Sequence, residues 1–315
     1  MTFMLRGQND SDQDLAAKLA QRIAADHFPH LKTDGMRLLH SAVTHACAYA
    51  RSMIDMLESP FVLQRNNPEH HTLGAIFFDS RTDALAALRS TARIKAVFSD
   101  PVANQCFFVM TMRRHEYTVF GTEQAGEMIR RDVMQDAVEF LDHKFSVAAP
   151  SMDALQRMMT ENVVLYLAGL SVQRRGQDKR SLTDLRQSEE VLRAQMKTLQ
   201  CAINAESAYG RATLVHHKME QAQREMTELK ARLTTLAAQT ASDNCLQELD
   251  AILSAPHEHL RLEQVELCVG DFGIMSKTGK TIRFHECCFA DQQRLGVFLC
   301  VIDRENARHL WPDLD

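Results

Sequence analysis

The sequence predicts an α+β protein in three parts. These are an N-terminal α+β domain with a mainly antiparallel sheet (residues 11–150), a helical region with an antiparallel coiled-coil hairpin (151–240), and a small C-terminal module of one helix and an antiparallel sheet (241–315). Three observations predict it. Apolar residues recur at helical spacing in two N-terminal segments and again after Ser151. The pattern changes to period-two alternation between Thr72 and Pro150 and again after His259. Two heptad stretches of similar length lie between Leu182 and Leu236.

The first helix is expected to enter through Ser11 or Asp12, with Leu15, Leu19 and Ile23 on one stripe. Asp10, Asp12 and Asp14 imitate the start of a calcium loop. Leu15 stands where that loop needs glycine and Gln21 where it needs glutamate, so capping explains the acids better. A second helix places Leu39, Val43, Ala46, Ala50, Ile54 and Leu57 at helical spacing and is stopped by Pro60. A strand at 72–78, a helix at 81–98, and two strands within 104–121 meeting near Arg113 to Glu116 follow. Gly121 and Gly126 bracket a turn, residues 126–138 are read as a strand, and 137–150 return as a last strand ended by Pro150.

A further helix, capped by Ser151 or Asp153, leads into the heptads. Leu182, Leu185, Glu189, Leu192, Met196, Leu199 and Ile203 alternate steps of three and four; Ala212, Val215, Met219, Ala222, Met226, Leu229, Leu233 and Leu236 do so again. Continued in register, the first series would take 206, 210, 213 and 217. The phase break, with Gly210 inside it, favours two antiparallel arms of about 37 Å each. A bent helix in a parallel dimer competes with this reading. The chain then continues as a helix over 242–254, closed by Pro256, and three alternating strands at 259–269, 280–289 and 294–303.

The net charge of −5 argues against a protein built mainly to coat nucleic acid. The longest clean apolar run, Val163 to Leu170, is far short of a membrane span. The start, MTFMLRGQND, has no apolar core long enough for a signal peptide, so the expected location is the cytosol, and eight cysteines without a CxxC pair suit buried thiols in that reducing compartment.

Two motifs near the C-terminus suggest phosphate handling: a DFG at Asp271 to Gly273 and a GKT at Gly279 to Thr281. A P-loop needs four residues between its first glycine and the Gly-Lys pair, and a helix after it. Here five residues intervene and a strand follows, so the segment reads as a loop between strands. His285 and Cys287 share a strand face, and Cys268 or Cys300 could approach from neighbouring strands, but buried thiols are the simpler account and no metal or cofactor is expected. There is no GxSxG, HExxH or recognisable catalytic cysteine.

The reading of function is a non-enzymatic cytosolic interaction or regulatory protein. Its helical arm would hold a protein partner, with Tyr209 and Arg211 at the tip as the contact; a homo-oligomer is compatible with this. The alternative is a sensor or enzyme for an anionic small molecule, with a pocket near Arg113, Arg114, Arg130, Asp142 and His143. The third reading is an RNA-binding arm: from Ser171 to Thr240 twelve Lys or Arg face eight Asp or Glu, a basic balance in an acidic chain.

Overall fold

The computed structural model describes residues 2–63, 87–125, 128–206, 213–239, 242–270, 273–276, 279–311 and 314. Its elements run α1 (Thr2–His27), α2 (Thr33–Asp55), β1 (Phe61–Val62), α3 (Ala92–Val97), β2 (Gln105–Ala125), β3 (Met128–Ala149), α4 (Met152–Glu206), α5 (Thr213–Gln239), α6 (Ser242–Ser254), β4 (Leu260–Val269), β5 (Lys280–Phe289), β6 (Arg294–Asp303) and α7 (Arg304–Leu310). The chain forms two compact units, residues 1–44 with 165–254 and residues 45–164 with 255–315. Among the described residues no helix is long and apolar enough to cross a membrane. The expected strand at 72–78 and the turn at Gly126 lie outside the described residues.

The first unit is helical. In α1 the expected stripe is sheltered at Leu19 and Ile23, joined by Ala16 and Ala20. The helix begins at Thr2 instead of Ser11 or Asp12 and runs through the three aspartates. No proline interrupts the preceding residues, so an Asp at 10 or 12 has no helix end to cap. Helix α4 starts in the second unit, where the Ser151 hydroxyl accepts the Ala154 N–H at 3.2 Å, which is the expected cap. The helix then continues for 55 residues. The heptad positions read from sequence are the sheltered ones: Leu182, Met219, Ala222 and Met226 are buried. Leu185, Leu192, Met196, Leu199, Ile203, Val215, Leu229, Leu233 and Leu236 are half-buried, and apart from Glu189 and Ala202 the other positions whose burial is described between them are exposed; Ala212 lies outside the described residues. Glu189, the polar member of the stripe, is held by Arg193 one turn on at 2.7 Å. Within this unit the Arg175 guanidinium lies 4.7 Å from the Phe28 ring centre, and Arg174 reaches Glu248 at 3.4 Å.

The second unit is built on a six-stranded sheet in the order β3-β2-β6-β5-β4, with β1 parallel to β6. The remaining pairings are antiparallel, and the sheet curves as a half-barrel. Strands that the sequence reading distributes between residues 11–150 and 241–315 are thus hydrogen-bonded into one sheet, through β2 and β6. Alternation then sends Cys106, Phe108, Met110 and Met112 to one face, where they meet Val138, Phe140, Ile282 and Phe284. Phe140 and Phe284 meet edge to face with ring centres 5.7 Å apart. The opposite face carries Val109, Val147 and Leu299, covered by Leu155.

The turn expected near Arg113 to Glu116 is absent; β2 passes straight through it. That tetrad is polar but holds no Gly, Pro, Asn or Asp to reverse the chain. Strand β2 pairs with β6 only as far as Met112 but with β3 as far as Ala125. Beyond Met112 the two strands therefore continue as a ribbon. Its register shifts accompany two residues of positive φ, Asp132 and Asp142, which mark β-bulges.

The β4–β5 connection explains the glycines of the two phosphate-like motifs. Gly273 has φ +76°, and a Cβ there would strike the Val138 carbonyl. Its neighbours bond to β3: the Met275 N–H donates to the Asp136 carbonyl at 2.7 Å, and Ile274 bridges Ala137. Lys280 opens β5, so a strand and no helix follows the GKT.

Candidate functional site

Successive residues of β2 point to opposite faces, so Arg113 and Arg114 part company. The Arg113 guanidinium pairs with Asp142 at 2.9 Å on the surface, where both side chains are more than half exposed. Asp142 reaches that position from the bulge. His143 beside it is half-buried, and Arg130 is exposed further along the ribbon, opposite Glu123 in register. Nearby, His115 and Glu139, directly opposite in register, are joined at 2.9 Å. Of the five residues expected to line one anion pocket, only Arg114 lines the polar cleft described next. The bulges and the strand alternation separate them, and neither is readable from charge spacing.

Arg114 belongs to an ionic cluster on the face of the aromatic core. Its Nε donates to Glu286 Oε1 at 2.7 Å and an Nη to Oε2 at 3.2 Å, a bidentate grip, and it also pairs with Glu116. Arg294 lies 3.5 Å from Glu286 and 3.0 Å from Glu263. Arg261 completes the chain, donating to Glu263 at 2.8 Å. Arg114, Glu116, Glu286 and Arg294 line a cleft of about 240 Å³.

Glu286 is the buried centre of this cluster, with its side chain only 2% exposed. It follows Ile282 and Phe284 on the core-facing side of β5. Burial opposes the charge on Arg114, but its hydrogen bond to Glu286 and the carboxylates of Glu286 and Glu116 outweigh that and raise its pKa. The hydrogen bond from Arg261, aided by the Arg294 charge, holds the Glu263 carboxyl below its ordinary range. Three guanidiniums thus face three carboxylates, and the cluster is neutral. Sequence reasoning missed Glu286, Glu263, Arg261 and Arg294. A signal did exist: an acid in phase with Ile282, Phe284 and Cys288 on a strand face that must be buried.

The thiols of the sheet are buried or half-buried, while Cys201 on α4 is exposed. His285 and Cys287 do share a face, but Cys300 lies in the core on the other one. Cys268 donates its thiol to the Gly279 carbonyl at 3.2 Å. Burial pushes Cys106, Cys287 and Cys300 up to about 12, which disfavours the thiolate that metal binding and nucleophilic attack require.

Tyr209 and Arg211 lie outside the described residues. Comparison with known proteins gave no matching family model, no matching curated protein and no matching solved structure.

Proposed function

We propose that the protein is a non-enzymatic cytosolic interaction or regulatory protein, in which residues 182–236 form an antiparallel coiled-coil hairpin that presents a contact surface to a protein partner. One observation carries the reading. The sheltered positions of α4 and α5 are mirror images in sequence about position 209: Ile203 and Val215, Leu199 and Met219, Met196 and Ala222, Leu192 and Met226, Glu189 and Leu229, Leu185 and Leu233, and Leu182 and Leu236 are equidistant from it. Two arms folded back on one another bring those pairs level along one seam. Leu182, Met219, Ala222 and Met226 are already buried in the single chain, which supports the hairpin over a stripe that waits for a second copy.

The hairpin leaves the outer faces of both arms polar and of mixed charge, and Tyr209 and Arg211 fall in sequence between the arms. Tyr and Arg are the side chains most enriched at binding hot spots, so this tip is the proposed contact. The neutrality of the Arg114 cluster counts against the anionic-ligand alternative. The experiment is a cysteine pair, Leu185→Cys with Leu233→Cys, oxidised mildly in the intact chain. It should crosslink within the monomer. A disulfide between two copies of Leu192→Cys, with no 185–233 crosslink, would establish the parallel dimer instead. In host lysate, partner capture should survive in the wild type and vanish when residues 180–240 are deleted. Equal capture by the deleted chain would remove the arm from the function.

A further inference from the structure

The sheet-containing unit holds a second cavity, on the sheet face opposite the ionic cluster. Sheet residues Val109, Leu262, Leu295 and Val297 line it together with helical residues such as Ile54 and Met159. Its volume is about 270 Å³, and the fifteen residues that line it are uncharged, with Thr111, Ser146 and Asn162 the polar ones. It is a cleft open to solvent on one side, where Asn162 stands exposed, and its floor is the buried sheet face around Val109 and Val147. A cavity with such walls offers water few partners and suits an apolar guest.

We infer that this cavity is a binding site for a small neutral apolar molecule. The walls fix the class of ligand. A carboxylate, phosphate or ammonium group seated against the floor of the cleft would give up part of its hydration with no countercharge among the lining residues. The Cys287 thiol on the wall is held in its neutral form by burial, so it adds no charge either. Thr111 directs its hydroxyl to the Lys144 carbonyl, at 3.5 Å. Size follows from volume: at the packing density of protein interiors, 270 Å³ takes roughly ten carbon atoms. That is one substituted aromatic ring or a short branched chain. The occupant is held by shape and dispersion, and its selectivity is against charge.

The matched probes are p-xylene and p-toluate, which differ by a methyl against a carboxylate, titrated calorimetrically into the intact chain. p-Xylene should bind saturably, one per chain, and raise the melting temperature; p-toluate should bind at least about tenfold more weakly. Two filling substitutions locate the site: Leu295→Trp on β6, and Asn162→Trp at an exposed position of α4 that leaves the core untouched. Each should abolish p-xylene binding. Should Leu295→Trp fail to fold, Asn162→Trp decides alone. No saturable p-xylene binding, equal binding of p-toluate, or an unchanged p-xylene titration in the folded Asn162→Trp chain would overturn the inference.

Discussion

Removing Arg114 should be more damaging than removing its partner Glu286, and the geometry says by how much. In Arg114→Met the Glu286 carboxylate, 2% exposed, keeps only Arg294 at 3.5 Å, a cation half exposed and shared with Glu263 at 3.0 Å. Stranding one member of a buried pair costs about 3–5 kcal/mol, and the remaining cation offsets a part, so about 3–4 kcal/mol is expected. In Glu286→Gln the stranded group is Arg114, 21% exposed and still paired with Glu116. Water and that second carboxylate reduce the expected loss to about 1–2 kcal/mol. Arg114→Met with Glu286→Met removes both charges and should lie within about 2 kcal/mol of wild type. Trp311, the single tryptophan of the chain and buried in the core of this unit, supplies the readout. Its fluorescence followed through a urea titration measures each loss from the midpoint at constant slope. A cost under about 1 kcal/mol for Arg114→Met, or a double variant whose loss equals the sum of the singles, would refute the view that Glu286 depends on this partner.

Two further outcomes follow from the same unit. Gly273→Ala must hold a side chain at φ +76° against the Val138 carbonyl and should cost about 1–3 kcal/mol, whereas Gly270→Ala, which meets nothing closer than 3.5 Å, should change the same urea midpoint little; equal effects would mean that the close approach to β3 is not what Gly273 provides. The folded-state pKa of Glu263 is lowered, so its contribution is complete above the unfolded value of about 4.3 and is lost as pH falls through the folded one. The stability difference between wild type and Arg261→Ala should therefore shrink on acidification from neutral pH, and a difference that stays constant or grows would contradict the assignment.

What the sequence disclosed depended on whether the information was local. Strands β5 and β6 have the bounds their alternation implies, because side-chain phase is written residue by residue. The sheltered positions of α4 and α5 are the heptad positions for the same reason. The merging of β2 with β6 was hidden: it pairs residues almost two hundred positions apart, and periodicity says nothing about partners. Polarity at Arg113 to Glu116 imitates a turn, while a two-stranded ribbon exposes such residues as readily. Arg114 could be singled out as a cation, but its fate depended on a carboxylate 172 residues away. Glu286 is more legible, because its phase among apolar neighbours marks it as a buried acid in need of a partner.

That partner also decides what the cleft can accept. An anionic ligand would have to take Arg114 from Glu286, a carboxylate already in bidentate geometry and tethered to the same sheet. A tethered group competes at an effective concentration in the millimolar range or above, so a free carboxylate or phosphate gains little by exchanging places with it. The displaced Glu286 would be left in the core face of β5 with Arg294 as its remaining neighbour, which adds the penalty of a poorly paired buried charge. Arg113 is exposed and could be recruited more cheaply, but it points to the other side of the strand and shares its charge with Asp142. Cations exposed to solvent lie elsewhere, among them Arg130 and Arg131 on the ribbon and several along the helices between Ser171 and Thr240. Any charge-driven association of this protein should accordingly weaken with salt through those residues, while the sheltered Arg114–Glu286 pair, screened little by ions in solution, continues to act on stability.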